Sequence, residues 1–354
     1  MTMGVERKAL AVAAALGLAA VAACGDGGSA TGDGKRTLTV TMWGGSAQEA
    51  HVNSYIKPWA EKNGVEIRQD QPTDYAKLRA QVEAGKVTWG IVEVEPNFAV
   101  TACKEGLLEK VDTSIVNTSP IDPKLVSECA IPNLQYAFTI AYNTKTFPDG
   151  HPKTWAEFFD VQKYPGKRGF WKYVTGGIFE AALLADGVPA DKLYPLDIDR
   201  AFRKLDSIKE HLVFYDTGDQ QVQLVASGEA PLVQAWNGRI YQAARDGQPV
   251  ANEWNEHFLS YDTVAIPKGY PNADLAQQWM AHFVNDLDGQ AADTEASAYA
   301  PINDKALERV DPQILPELPT SPENAAKRAI VIDYGYWAEH YDEVTKRFNE
   351  WLAS

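Results

Sequence analysis

The first third of the chain alternates between short apolar runs and amphipathic segments, and this alternation limits the possible folds more than any other feature. Each apolar run has the length and composition of a strand, and each amphipathic segment that of a helix. Successive strands separated by one helix pair in parallel, so the pattern predicts a parallel α/β layer. The predicted strands are 37–42, 65–68 and 89–95, and the predicted helices are 46–62, 74–84 and 96–106.

The ends of these strands carry residues suited to a binding site. Trp43-Gly44-Gly45 follows the first strand, and Glu95-Pro96-Asn97 follows the third. Ligands of open α/β sheets bind beyond the carboxyl ends of strands. Ser46 and Glu49 have the spacing of a capping box for the first helix, and Pro58 predicts a bend within it.

The pattern restarts after an apolar strand at 137–142 and returns with a strand near 259–266. Two α/β lobes joined by two crossings account for this order. A cleft between lobes favours a small ligand, and hinged closure is the expected motion. The predicted boundaries are 36–138 with 263–315 for the N-terminal lobe, 139–262 for the C-terminal lobe and 316–354 for helices packed on both.

The stretch from Gln234 to Gly269 ends in polar and aromatic residues on both sides, which are Trp236 and Arg239 at one end and Tyr261 and Asp262 at the other. An arginine and an aspartate placed in this way could hold both charges of a small zwitterion. The spacing alone leaves open that they form an ion pair with each other or are two solvated charges.

The N-terminus has the pattern of a targeting segment. A basic pair precedes an apolar run at 9–20, and Val21-Ala22-Ala23-Cys24 matches a bacterial lipobox. Residues 1–24 are therefore predicted to be a lipoprotein signal peptide with Cys24 as the lipid anchor, and residues 25–35 a flexible tether. A plain signal peptide with a chance cysteine is the alternative.

The net charge argues against one class of partner, and the cysteine content predicts a disulfide. The formal net charge is −15, which disfavours a nucleic-acid partner. Outside the cytoplasm, Cys103 and Cys129 are most simply a disulfide, worth about 3 kcal/mol. The six histidines do not cluster in the sequence, so no metal site and no cofactor are predicted.

Short motifs along residues 36–353 resemble the extracytoplasmic solute-binding receptors of ABC importers, in particular the spermidine/putrescine group with its γ-aminobutyrate-binding relatives. This resemblance implies the type II periplasmic-binding-protein fold, a membrane permease as partner, a monomer, and an extracytoplasmic location with the lipid anchor at Cys24. The motifs are Thr88-Trp89, 103–108, Glu128-Cys129, 158–160, 165–169, 185–188, 200–206, 237–240 and 266–269.

The resemblance also implies site residues. Trp43 and Trp254 would flank an alkyl chain, Asp262 would receive an ammonium, and Arg239 a carboxylate. The other candidate contacts are Glu95, Asn97, Gln220, Trp236 and Tyr261. Any of the tryptophans could instead be core residues, and Arg239 could simply neutralise Asp262.

Three departures from the polyamine receptors concern the ligand. Thr175-Gly176-Gly177 has no acid where those receptors carry a second acidic cluster, Val264 replaces a tryptophan, and Glu93 and Glu95 stand where small or neutral residues are common. The expected function is capture of an amine-bearing solute, either a polyamine such as putrescine or spermidine or an ω-amino acid such as γ-aminobutyrate. Glu95 could bind a second cationic group of the ligand, which would support the polyamine interpretation.

Two other classes stay open at this point. A secreted hydrolase with an Asp/Glu pair is compatible with the many carboxylates, although the chain has no nucleophile elbow, zinc-protease motif or P-loop. A ferric-ion receptor of the same fold usually needs adjacent tyrosines, and the sequence has no Tyr-Tyr pair. We therefore expect a binding protein and no enzyme.

Overall fold

A single sheet of nine strands organises residues 36–354, the part of the chain that the computed structural model describes. The predicted signal peptide, the lipid anchor Cys24 and the tether lie outside the described residues. The strands are β1 Thr37–Thr41, β2 Glu66–Asp70, β3 Ile91–Val94, β4 Ala130–Asn143, β5 Arg168–Trp171, β6 Leu212–Tyr215, β7 Leu232–Trp236, β8 Val250–Ala265 and β9 Ile330–Val331.

The strand order is β2-β1-β3-β8-β4-β7-β5-β6, with β9 pairing at β8. The strands β2, β1 and β3 are parallel, as are β6, β5 and β7. Between these two groups lies the antiparallel pair β4 and β8. The predicted parallel α/β layers are therefore present at both ends of the sheet.

Helices connect these strands and cover the sheet. The α-helices are α1 Gly45–His51, α2 Lys57–Lys62, α3 Tyr75–Glu83, α4 Pro96–Lys104, α5 Trp155–Phe158, α6 Ile178–Ala185, α7 Ile198–Asp206, α8 Gly218–Ser227, α9 Asn237–Arg245, α10 Ala273–Phe283, α11 Leu287–Ser297, α12 Pro322–Lys327 and α13 Tyr334–Ala353. No helix among the described residues is long and apolar enough to cross a membrane.

The central strands β4 and β8 are the two predicted crossings, and both are longer than the sequence indicates. β8 begins at Val250, before the polar segment Asn252 to Glu256. Those polar residues hide the strand from a hydrophobicity pattern. Because this part of β8 pairs with β4 through backbone hydrogen bonds, the strand continues without an apolar run.

Separate apolar cores lie on the two sides of the central pair. One contains Phe158, Phe170 and Phe179, and Trp337 and Phe348 of the C-terminal helix α13 pack into it. The others contain residues of β1, β3, α2, α4 and α10. Burial of this apolar surface is the main stabilising contribution on each side.

The disulfide prediction is confirmed, because Cys103 in α4 and Cys129 just before β4 are bonded.

Some local predictions are wrong. Ser46 does not cap the first helix, because the cap residue is Gly44, whose φ of 84° suits glycine. Ser46 instead accepts a hydrogen bond from Arg239. The long first helix contains a π-helical turn at Val52–Ile56, before Pro58. The sequence pattern predicts helices at 273–287 and 342–352. In the structure α10 already ends at Phe283 and is followed by α11, and α13 already begins at Tyr334.

Candidate functional site

A small cavity lies where β1, β3, β4 and β8 meet α1 and α9. It holds about 460 Å³ of space that atoms do not fill, part of it open to solvent. Four predicted contact residues line it together. The lining residues are Trp43, Gly44, Ala47, Gln48, His51, Glu93, Leu134, Tyr136, Trp171, Trp236, Arg239, Asp262 and Tyr299.

Trp43 links the two acids of the cavity. Its indole nitrogen Nε1 donates to Asp262 Oδ2 at 3.0 Å, and its backbone N–H donates to Glu93 Oε2 at 3.3 Å. The indole position follows from local structure, since Trp43 directly follows β1 and the chain then turns through two glycines with positive φ. Trp43 therefore places both carboxylates at one wall.

Asp262 lies in surroundings that disfavour its ionised form. Burial, and then the negative charges of Glu93 and Glu95, raise the pKa of Asp262 well above its ordinary value. The Oδ1 oxygen of Asp262 has no hydrogen-bond partner among the described residues. A cationic group placed beside Asp262 would supply this partner and favour the ionised carboxylate.

Glu93 is held by its own hydrogen bonds. Asn133 Nδ2 donates to Glu93 Oε1 at 2.5 Å, and His51 Nε2 lies 3.9 Å from the same oxygen. On its other side, His51 Nδ1 lies 2.6 Å from Asp293 Oδ1. Burial lowers the pKa of His51, but Asp293 and then Glu93 outweigh it, so the pKa lies above its ordinary value. The two acids Asp293 and Glu93 thus favour the protonated form of the His51 imidazole.

Arg239 reaches the cavity from the first turn of α9. Its Nη2 donates to the Gly44 carbonyl oxygen at 2.8 Å, and its Nη1 donates to Ser46 Oγ at 3.1 Å. Among the described residues, the charged partner within 4 Å of Arg239 is the exposed Asp219, at 3.8 Å, rather than Asp262. The structure thus places a guanidinium and a carboxylate at one cavity without pairing them.

Aromatic rings form much of the remaining wall. Trp171 meets Trp236 and Trp43 edge to face, with ring centroids 5.0 and 6.4 Å apart. Tyr136 and Tyr299 also lie against each other, at 6.0 Å. Such a wall suits an alkyl chain and excludes water from a charged contact.

Glu95 and Asn97 do not line this cavity. Glu95 accepts hydrogen bonds from Thr175 Oγ1 and from the Tyr75 hydroxyl. Burial raises the pKa of Glu95 to about 7, and these two hydrogen bonds oppose the increase. Glu95 therefore joins the two sides of the sheet rather than offering a free carboxylate. Asn97 is buried at the start of α4.

Three further predicted contacts lie elsewhere. The side-chain oxygen of Gln220 accepts from the backbone N–H groups of Asp216 and Thr217 and so caps α8. Tyr261 packs edge to face on Tyr334 at 5.5 Å. Trp254 lines a separate surface groove beside α9 and α12.

Several lining residues were not predicted as contacts: Gln48, His51, Glu93, Tyr136, Trp171 and Tyr299. Alternation in β3 could have indicated Glu93, because it lies on the same face as Glu95. Trp171 ends a strand and resembles Trp43 in this respect. Nothing in the local sequence marks His51, Gln48 or Tyr299, which distant contacts bring to the cavity. Among the described residues, no group of three or more His, Cys, Asp or Glu could hold a metal ion.

Comparisons with known proteins agree with this architecture. The family described as bacterial extracellular solute-binding protein matches residues 54–326. The gamma-aminobutyric acid-binding protein of Pseudomonas aeruginosa is 33% identical over 325 residues, which are 90% of this chain and 91% of the relative. The spermidine/putrescine-binding periplasmic protein 1 of Haemophilus influenzae is 24% identical over 70% of this chain and 71% of its own length.

A solved structure, that of the Atu4243–GABA receptor, is 40% identical with a TM-score of 0.82 and covers 89% of this chain and 97% of the receptor. The fold is thus the two-lobed type II periplasmic-binding-protein fold, as predicted. This fold, together with a cavity at the central strands of the sheet, defines a class of extracytoplasmic receptors for small solutes. The chain belongs to the bacterial extracellular solute-binding protein family, whose members bind a solute and deliver it to an ABC permease.

Proposed function

We propose that this receptor captures a small ω-amino acid such as γ-aminobutyrate. One observation carries the proposal: Arg239 and Asp262 are both buried, line the same cavity and are not paired with each other. A zwitterion would place its ammonium at Asp262 and its carboxylate toward Arg239, because each buried charge then gains an opposite charge. The sequence similarity to two γ-aminobutyrate-binding proteins, at 33% and 40% identity, supports this assignment.

A linear diamine is the second candidate, because Glu93 and Asp262 are two carboxylates in one cavity. Two observations weigh against it. Glu93 already accepts hydrogen bonds from Asn133 and Trp43, and Glu95 is engaged by Thr175 and Tyr75. A second ammonium would also lie in a cavity that already contains the cation Arg239, and like charges repel strongly when buried.

Closure of two lobes around the ligand is the proposed motion, with 36–138 and 263–315 forming one lobe, 139–262 the other, and the helices of 316–354 packing on both. Two contacts support a closed arrangement: Arg239 to Gly44, and Thr175 to Glu95. Each joins a residue of the proposed C-terminal lobe to one of the N-terminal lobe. Both contacts would break on opening and free the cavity for exchange.

We further propose that the receptor is a monomer anchored to the membrane through lipid on Cys24, and that it releases its ligand chemically unchanged. The lipobox at 21–24 supports the anchor. Mass spectrometry of the membrane fraction tests the lipid, since an unmodified or absent Cys24 in the mature chain would contradict it. Incubation with γ-aminobutyrate should return only γ-aminobutyrate.

Isothermal titration calorimetry with a matched ligand set tests the function. γ-Aminobutyrate and 5-aminovalerate should bind with one site per chain. Butyrate lacks the ammonium, and butylamine and putrescine lack the carboxylate. Each should bind at least about 100-fold more weakly, because one buried charge of the site is then left unpaired. Putrescine binding as tightly as γ-aminobutyrate would establish the diamine alternative, and binding of none of the five would overturn both.

A further inference from the structure

Besides Asp262, two residues of the cavity wall carry a buried polar atom that has no hydrogen-bond partner among the described residues. The two atoms are the indole nitrogen Nε1 of Trp171 and the amide oxygen Oε1 of Gln48. Trp171 and Gln48 are each only 3% exposed. A buried polar group without a partner costs about 1–3 kcal/mol, so native proteins contain few of them. Both residues line the cavity, where a bound ligand would supply the missing hydrogen-bond partners.

The orientation of the Gln48 amide is determined by its neighbours. Its Nε2 donates to Gln69 Oε1 at 3.1 Å and to the Asp70 carbonyl oxygen at 3.3 Å. Both partners are acceptors, so the amide nitrogen must face them and the amide oxygen remains on the other side. Gln48 therefore offers an acceptor, as does Asp262 with its Oδ1, which has no partner in the part of the chain that the structure describes.

Trp171 offers the opposite polarity. Its ring stacks on Tyr173 with centroids 4.5 Å apart and meets Trp236 edge to face, so packing restricts its orientation. An indole N–H is a donor only, and it cannot accept from an ammonium. The group that satisfies Trp171 must carry an acceptor such as a carboxylate oxygen.

We propose that Trp171 and Gln48 are specificity-determining residues that orient the ligand, with the Trp171 indole N–H donating to the ligand carboxylate and Gln48 Oε1 accepting from the ligand ammonium. This assignment rests on the proposed ω-amino acid function. It extends that function by adding a neutral donor and a neutral acceptor to the two charged residues. A charge attracts from any direction, whereas each of these atoms requires a hydrogen bond of one polarity. Together the two atoms determine the orientation in which the ligand binds.

Nuclear magnetic resonance of the indole N–H groups tests the Trp171 contact directly. In ¹⁵N-labelled protein titrated with γ-aminobutyrate, the Trp171 signal, assigned by its absence in Trp171→Phe, should move downfield as a hydrogen bond to a carboxylate forms. Trp279 is a matched control, because its buried indole N–H also has no partner within residues 36–354 but lies in the core near α2, away from the cavity. The Trp279 signal, assigned through Trp279→Phe, should stay in place.

Calorimetry with the same protein separates the two ends of the ligand. Trp171→Phe should weaken γ-aminobutyrate about 10- to 100-fold, the range for a hydrogen bond to a charged group, and leave the weak affinity for butylamine unchanged. Gln48→Met should weaken both ligands.

The possible results are distinct. If γ-aminobutyrate binds but the Trp171 signal stays in place, or if Trp171→Phe weakens both ligands equally, the orientation proposal is wrong while the ω-amino acid function stands. If γ-aminobutyrate does not bind to the unmodified protein, the proposed function itself fails and the orientation fails with it.

Discussion

The indole N–H of Trp43 lies 3.0 Å from Asp262 Oδ2 and joins the end of β1 to the crossing strand β8. One oxygen of Asp262 is thereby fixed, and the other is left without a partner among the described residues. The same tryptophan bonds Glu93 through its backbone. Trp43 thus has a second role beyond the predicted packing against an alkyl chain, since it orients the acid proposed to receive the ammonium.

Replacement of Asp262 by Asn should weaken γ-aminobutyrate binding about 100-fold, because the ammonium loses its buried countercharge. The fold should persist, since Asn keeps the side-chain shape and an oxygen that can accept from Trp43. Calorimetry gives the affinity and circular dichroism the fold. Asp149→Asn, at an exposed position, is the control for a change of net charge. Equal affinities of the Asp262 and Asp149 variants would contradict the site.

Gly45→Ala should disturb Arg239, whereas Gly85→Ala should not. Both glycines have nearly the same φ, 61° and 63°, so an alanine costs about 1–2 kcal/mol of stability at either position. A Cβ at Gly45 would lie 2.6 Å from Arg239 Nη1, but a Cβ at Gly85 meets nothing within 4 Å.

Displacement of the Arg239 guanidinium from Gly44 and Ser46 should weaken γ-aminobutyrate at least about tenfold, as expected for losing a hydrogen bond of a charged group. Thermal unfolding and calorimetry of both variants separate strain from binding. A Gly45→Ala protein that binds as well as the Gly85→Ala protein would show that this arrangement of Arg239 is not needed for ligand capture.

The buried Glu180 should make the protein less stable as the pH rises. Burial raises the pKa of Glu180 to about 7, against hydrogen bonds from Tyr194 and Trp337. The folded state therefore holds this proton more tightly than the unfolded chain. The resulting contribution to the free energy of unfolding is fully present below the ordinary pKa of about 4.5. It is lost as the pH rises through about 7, and the total loss is roughly 3 kcal/mol.

Glu180→Gln is neutral at every pH, so its free energy of unfolding should fall less between pH 5 and pH 8 than that of the unmodified protein. Urea denaturation at four pH values across this range measures the difference. The exposed Glu49→Gln serves as control, and γ-aminobutyrate affinity should not change because Glu180 is not a lining residue. Parallel pH profiles for the two substitutions would disprove the assignment.

Loss of the disulfide should reduce the stability of the fold without changing the affinity for the ligand. The bond between Cys103 and Cys129 spans 26 positions of sequence, and such a loop contributes about 3 kcal/mol by restricting the unfolded chain. The double variant Cys103→Ser, Cys129→Ser should unfold several degrees lower in calorimetry. Its γ-aminobutyrate affinity should match that of the unmodified protein, since neither cysteine lines the cavity. A large loss of affinity would place the loop in the binding mechanism.

The sequence by itself determined the α/β layers, the crossings and the disulfide pair, because local apolar periodicity and two cysteines outside the signal segment are enough to specify them. It also brought forward Trp43, which directly follows the first predicted strand, and Arg239 and Asp262, which stand at the two ends of the stretch 234–269. The sequence pattern also predicts a helix at 237–245, and these are the bounds of α9.

Only the tertiary structure decided which of the candidates share a cavity. Trp254 lies in a polar part of β8 and lines a different groove, and the side chain of Gln220 caps its own helix. Conversely, Gln48, His51 and Glu93 come together through contacts with β2, α11 and β4. Those partners are far away in sequence, and no local pattern encodes which side chains the packing of separate elements places opposite one another.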